Sequence, residues 1–262
     1  MKKIKIDSPK NQLIKKIRRD VLKKSFCLIE GSKIIADLIN YNFRFEFLLY
    51  DGAKEKEFSC IIEKASTNTL IETNHAVITK IAELVPNSYI IALAKVKETI
   101  VSIDDIRKND IILYLYKIQD PGNLGSIIRT CFALDINLIL LSEGCASPFT
   151  SKVIRASSGT SLLLKINTVK DIISIINKLK EYDYLIYYTS QRAEFTYYKA
   201  NYRNKFLLLL GSEGSGLPKE IIRQCHYGIY LPMANNLESL NVSICTAVIL
   251  FEAKRQRETK LL

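Results

Sequence analysis

Between Asp110 and Gly214 the chain runs three times into a nearly unbroken apolar stretch: "IILYLYKI" from Ile111, "NLILLSE" from Asn137 and "KFLLLLGSEG" from Lys205. A strand with one wet face alternates apolar and polar residues, whereas a strand without alternation is buried on both faces. Helical spacing follows the first run, with Leu124, Ile127, Ile128, Cys131 and Phe132 on one side of a helix over 124–134. Buried strands that alternate with helices need crossover connections, and crossovers make a parallel sheet. From Asp110 onwards the fold class is therefore α/β. The runs "SLLLKI", "DYLIYYTS" and "GIYLPM" extend the sheet, and a helix ending near "RASSGT" joins others over "VKDIISIINKLKEY", 218–225 and 240–257.

A smaller α/β series precedes it. From Phe26 to Val96, "FCLIE", "RFEFLLY", "TLIET" and "YIIALAKV" read as strands, interleaved with the helical "SKIIADLINY", an acidic-basic helical stretch and "NHAVITKIAEL". The charged "KETIVSIDDIRKND" breaks the pattern as a linker or peripheral helix. The chain divides on this reading into a small domain (1–98), a linker (99–109) and a sheet domain (110–262). Before the first strand, a basic amphipathic helix is expected from Ser8 to Lys24, with Pro9 at its first position.

Charge narrows the partners. Lys and Arg number 38 against 27 Asp and Glu, a net charge of +11 that attracts polyanions such as RNA or DNA. Abundant Ile, Asn, Lys and Tyr also mark an AT-rich genome, which inflates lysine without any such partner. Lys15, Lys16, Arg18 and Arg19 on the first helix suit phosphates, a solvated face or a membrane surface. Six cysteines without a C-x-x-C pair, and two distant histidines, imply a reducing compartment and no metal site. The start "MKKIKIDSPKNQ" lacks the apolar segment of a signal peptide, and no run approaches the ~20 residues of a membrane span. A soluble, cytoplasmic protein is expected.

In a parallel α/β sheet, ligands bind beyond the carboxyl ends of the strands. Three loops there are unusual. "DPGNLGSIIRT" opens a helix for which Asn123 is a good N-cap, and it carries Arg129, a cation that neither the apolar face nor the helix dipole explains. "GSEGSGLPKE" holds Glu213 among glycines 211, 214 and 216, which suit close backbone approach and positive φ. Its spacing is neither that of a P-loop nor that of a dinucleotide fingerprint, and an ordinary strand-to-helix turn would also use it. "LPMANNLESLNVS" leads to Ser239, a natural N-cap for the last helix, and to Asn241, which capping by Ser239 leaves unexplained.

Together and in this order the three loops resemble the motifs of the SpoU branch of the SPOUT RNA methyltransferases, which methylate the ribose 2′-hydroxyl. The resemblance covers about Asp110 to Arg257, and "IRASSGTSLLLKI" fits the family's intervening segment. It implies a doubly wound sheet whose C-terminal part forms a deep trefoil knot around S-adenosylmethionine. Gly211, Leu231 and Leu240 would line the cofactor pocket, with Thr189 as a weaker candidate. Arg129, Asn123, Glu213, Ser239 and Asn241 would form the catalytic set, Arg129 central to it. The family usually has glycine where this chain has Asn235, and asparagine tolerates the left-handed backbone next best. A homodimer with its active site at the subunit interface is implied. The small domain resembles, more weakly, a ribosomal-protein-like module that binds structured RNA, ribosomal in preference to transfer RNA.

Competing readings are a transfer-RNA methyltransferase and a non-catalytic RNA-binding relative. The intact Asn123, Arg129, Glu213 and Asn241 argue against the latter. A Rossmann-type methyltransferase is disfavoured because no glycine-rich loop follows the first strand of either half.

Overall fold

The computed structural model describes residues 2–83, 88–96, 101–212, 214, 216–235 and 239–258. The chain forms two compact units: Met1–Lys97 with Ser147–Leu163, and Glu98–Ala146 with Leu164–Leu262.

The first unit contains β1 (Lys2–Lys5), α1 (Gln12–Leu22), β2 (Phe26–Glu30), α2 (Ser32–Asn40), β3 (Arg44–Asp51), α3 (Ser59–Lys64), β4 (Ser66–Thr73), α4 (His75–Ile81) and β5 (Ile90–Lys95). The sheet order is β1-β4-β3-β5-β2. One apolar cluster joins Ile14 and Ile17 of α1 to Leu49, Ile71 and Ile78, and another joins Ile35 and Leu38 of α2 to Phe45 and Leu48. Helix α1 begins at Gln12, capped by the Asn11 side chain, so Pro9 lies outside it. Strand β1 escaped the sequence reading because its lysines mask the one apolar side it needs; Lys3 and Lys5 pair with Glu72 of β4.

Sequence order placed 147–163 in the sheet domain, but this segment packs in the first unit. Phe149, Ile154, Leu162 and Leu163 join the cluster around Phe45, and a Cβ on Gly159 would lie 3.0 Å from Ile34.

The second unit has α5 (Ile103–Arg107), β6 (Ile111–Leu115), α6 (Pro121–Ala133) and β7 (Leu138–Leu141). After α7 (Ser151–Ala156), the helix of the 147–163 segment, come β8 (Lys165–Thr168), α8 (Ile172–Glu181), β9 (Leu185–Thr189), β10 (Phe195–Thr196), β11 (Phe206–Leu210), α9 (Lys219–Ile222), β12 (Tyr227–Tyr230) and α10 (Val242–Glu258). Its seven strands lie in the order β10-β12-β9-β11-β6-β7-β8, and every adjacent pair is parallel. All five residues of β11 are buried, as the lack of alternation requires.

Two local expectations change. The run "SLLLKI" is a strand only from Lys165; Thr160–Leu162 form a 3-10 turn. Within the expected linker, Ser102 and Asp105 form a capping box that starts α5, and Ile106 is buried in the core of the second unit. Residues 97–100 lie outside the described residues.

Seven described non-glycine residues have positive φ. Lys24, Asn42, Asp135, Ser158 and Asp183 each follow the C-cap of a helix, where the chain turns left-handed to satisfy the last carbonyls. Lys117 and Asn235 follow no helix; both lie in loops beyond strand ends.

His226 continues the β12–β9 ladder with its side chain. Its Nδ1 accepts from the Ile186 amide at 2.9 Å, while its own amide donates to the Ile186 carbonyl at 2.9 Å. Burial, and then the charge of Lys180, push its pKa down. The unfolded chain, with a pKa of about 6.5, binds the proton more readily. This stabilisation is therefore complete above pH ~6.5 and is lost as the pH falls through the lower folded value. The urea midpoint should drop further between pH 7.5 and 5.5 in the wild type than in His226→Gln, whose amide oxygen still accepts; equal drops would refute the role.

No described helix is long and apolar enough to cross a membrane. No group of three or more His, Cys, Asp or Glu among the described residues is placed to hold a metal.

Candidate active site

The loop after β6 leads directly into α6. Asp120, not Asn123, caps this helix: its carboxylate accepts from the Asn123 amide at 2.7 Å, and Pro121 takes the first position, where a missing N–H costs nothing. The cap releases the Asn123 side chain for another partner. Its Oδ1 accepts from Asn241 Nδ2 at 2.8 Å, a bond between residues 118 apart in sequence.

Asn241 is held in turn. Its Oδ1 accepts from the Ser243 amide at 2.9 Å and the Ser243 hydroxyl at 2.6 Å, and its carbonyl accepts from the Cys245 amide. It thus caps α10, which starts two residues later than the sequence reading placed it. Ser239, the expected cap, is exposed ahead of the helix. The two amide side chains join the first and third loops into one unit.

Arg129 stands on the solvent side of α6. Leu124, Ile127, Ile128 and Cys131 take the buried side, leaving Gly122, Ser126 and Arg129 on an exposed stripe. The guanidinium makes no hydrogen bond or ion pair among the described residues. A charge held free on a rigid helix is available to an incoming anion.

The second loop folds back on itself. Ser212 and Gly216 form an isolated bridge, with the Gly216 amide donating to the Ser212 carbonyl at 2.9 Å. A Cβ on Gly211 would sit 2.4 Å from the Gly216 carbonyl carbon, so residue 211 has to be glycine. Glu213, expected in the catalytic set, lies outside the described residues.

A cavity of about 440 Å³ opens where these elements meet, lined by Lys117, Gln119, Asp120, Asn123, Ser212 and Val242 among others. Three of the expected cofactor residues lie at the same, carboxyl end of the sheet. Strands β12, β9 and β11 are neighbours, so Thr189 ends β9, Gly211 follows β11 and Leu231 follows β12 in adjacent positions. Leu231 is buried, Leu240 is partly exposed, and the Leu240 carbonyl accepts from Cys245 Sγ at 3.5 Å. Asn235 is left-handed, with φ +58, as expected for the residue in the family's glycine position.

Sequence reasoning missed Lys117, Gln119 and the capping role of Asp120. The Asp-Pro pair was the available signal for the cap, because proline favours the first helical position and aspartate the one before it.

Coupling between the two asparagines is measurable. In a double-mutant cycle on the free energy of unfolding, Asn123→Ala and Asn241→Ala should interact by about 1–2 kcal/mol, as hydrogen-bonded neighbours do. Additive losses would mean that the bond contributes nothing.

Comparison with known proteins assigns the family. An uncharacterized tRNA/rRNA methyltransferase of Synechocystis sp. is 34% identical over 55% of this chain and 53% of its own length. The 23S rRNA (guanosine-2′-O-)-methyltransferase of Pseudomonas putida is 30% identical over 57% of this chain and 60% of its own. The chain thus spans between half and two thirds of these relatives. The AdoMet-bound rRNA methyltransferase structure from Sinorhizobium meliloti superposes with a TM-score of 0.79 at 23% identity, covering 98% of this chain and 99% of that one; the two share a fold. The model of the SpoU rRNA Methylase family matches residues 110–251, more than half of the chain, and contains all three loops described above: the protein belongs to that family.

Proposed function

We propose that the protein is an S-adenosylmethionine-dependent RNA 2′-O-ribose methyltransferase whose substrate is large-subunit ribosomal RNA. The observation that carries this reading is the Asn123–Asn241 bond, which ties two loops of the family together beside a cavity, on the helix that also carries the exposed Arg129. The name of the Pseudomonas putida relative supports the ribosomal substrate and the 2′-hydroxyl, and the Sinorhizobium meliloti structure supports the cofactor.

The residues present fit that cofactor. Gly211 admits no side chain, and the ends of β9, β11 and β12 present Thr189, Gly211 and Leu231 side by side, where backbone groups pass beyond their last ladder bonds. With Leu240 these would hold S-adenosylmethionine. When bound, it supplies a sulfonium methyl for in-line transfer without a metal.

The difficult group is the ribose hydroxyl, a weak acid. Arg129 is not assigned as the base: the hydroxyl proton passes to solvent water as the oxygen takes the methyl group. The arginine's part is to fix the adjacent phosphate and stabilise charge developing on the oxygen, a preorganised electrostatic effect. Asn123 and Asn241 keep the two loops in register. Glu213 is assigned to orient the arginine or the ribose, and Ser239 to order the cofactor loop and contact substrate.

The same reading extends to the rest of the chain. The domain ending near residue 98 binds structured RNA, supported by the exposed Lys15, Lys16, Arg18 and Arg19 on α1. The C-terminal part forms a trefoil knot, supported by the insertion of β11 between β6 and β9 and by the packing of α10 on α6. The protein works as a homodimer in the cytoplasm. Ile244 and Phe251, each more than half exposed and two turns apart on α10, offer an apolar stripe to a second copy.

The test is transfer of labelled methyl from S-adenosylmethionine to unmodified total RNA, fractionated and mapped to the nucleotide. Label resistant to alkaline cleavage at one ribosomal site supports the proposal. Label in transfer RNA keeps the chemistry and changes the substrate, and no transfer with no cofactor binding refutes the enzyme.

A further inference from the structure

Of the seven described non-glycine residues with positive φ, five follow the C-caps of helices, and the two that do not, Lys117 and Asn235, both lie in loops of the site. Asparagine adopts this conformation readily; lysine gains nothing from it locally. Something else holds Lys117 there. Its amide donates to Ser142 Oγ at 2.9 Å, and the Ile118 amide donates to Cys145 Sγ at 3.3 Å. Cys145 Sγ donates to the Leu115 carbonyl at 3.3 Å, and the Ala146 amide to the Ile118 carbonyl at 2.8 Å. The loop after β6 is thereby clipped to the loop after β7, and the backbone at 117 is fixed from several directions.

Lys117, held by this clip, lines the cavity together with Asn123 and Ser212. Its ammonium lies 5.3 Å from the centre of the Tyr116 ring and pairs with no carboxylate among the described residues. Asp120, the other charged residue among the described lining, has its carboxylate engaged as the cap of α6. The result is a cation with no carboxylate partner among the described residues, on a rigid mount beside the loops that the two asparagines join. Backbone strain kept at such a place points to a functional side chain.

We propose that Lys117 is a positioning residue that binds a phosphate of the RNA substrate next to the reacting ribose, an inference that rests on the methyltransferase reading above. A phosphate suits a compact point charge that need not match a bidentate geometry. The carboxylate of the cofactor's amino-acid group is the competing anion.

The test uses full-length Lys117→Gln, Lys117→Gly and Lys117→Arg, with ribosomal RNA from cells lacking the gene. RNA binding is measured over a series of potassium chloride concentrations, S-adenosylmethionine binding by calorimetry, and methyl transfer at varied RNA. Gln and Gly should each weaken RNA binding about tenfold, as loss of one charge-assisted hydrogen bond does, and make the plot of log K against log salt shallower by about 0.8. KM for RNA should rise, the cofactor's Kd should stay unchanged, and Arg should restore most of the affinity. Glycine separates the side chain from the backbone, because it adopts the left-handed conformation without strain. Wild-type RNA binding in Lys117→Gly would overturn the proposal, as would weakened cofactor binding with RNA binding intact. A wild-type protein that transfers no methyl, yet binds RNA with the Lys117-dependent slope, would overturn the methyltransferase reading and leave the phosphate contact standing.

Discussion

Arg129→Ala should abolish most methyl transfer while leaving the folded protein and its cofactor affinity intact. Arg129 is exposed on α6 and bonds no described neighbour, so its removal leaves no buried group unpaired and opens no hole in the core. Losing a preorganised donor aimed at developing negative charge costs about 10²–10³ in kcat. Arg129→Lys should recover only part of this, because an ammonium keeps the charge but not the planar fork that holds a phosphate at two points. The measurement is single-turnover transfer at saturating S-adenosylmethionine, with cofactor Kd and melting temperature recorded alongside. Unchanged turnover in Arg129→Ala would remove the arginine from the mechanism.

Gly211→Ala tests the proposed cofactor side. The added Cβ would lie 2.4 Å from the Gly216 carbonyl carbon and 2.7 Å from both the Gly216 oxygen and the Leu217 nitrogen. All three are backbone atoms, so no side-chain rotation relieves the overlap. The loop has to move, and the Ser212–Gly216 bridge opens with it. Forced overpacking of this kind costs about 1–3 kcal/mol. We expect it to appear as cofactor affinity reduced about thirtyfold, since the loop end yields more easily than the five-residue buried strand before it. At Gly214 a Cβ meets nothing within 4 Å, so Gly214→Ala should keep the melting temperature of the wild type. Calorimetric titration and a thermal melt of the two variants separate the cases; wild-type cofactor affinity in Gly211→Ala would place the cofactor elsewhere.

The two predictions differ in what the sequence disclosed. Gly211 was legible because a glycine at the end of an apolar strand has few purposes, and Arg129 because it contradicts its own helix. Periodicity likewise located the parallel sheet, whose strands alternate so little that burial on both faces is forced. What stayed hidden depends on distant pairs. The Asn123–Asn241 bond joins residues that no local pattern relates, and it decided that Asp120 and Asn241, instead of Asn123 and Ser239, cap their helices. The 147–163 segment carries the periodicity of the second unit's helices, yet its apolar side chains fit the core of the first. Lys117 looks like one lysine among many until its backbone conformation is seen. Edge strand β1 was lost for the opposite reason: it buries so little that charge dominates its composition.

The position of β11 has a consequence for how the protein is made. It occupies the middle of the second sheet, between β6 and β9, but follows both in the chain. Until it arrives, two hydrogen-bonding edges that belong together stand open, and pairings of such long sequence separation form slowly. Refolding should therefore pass through a species with exposed strand edges, the kind that associates with its own copies when concentrated. Because Gly211 follows directly on β11, the loop proposed to hold the cofactor takes shape only when this slow insertion is complete.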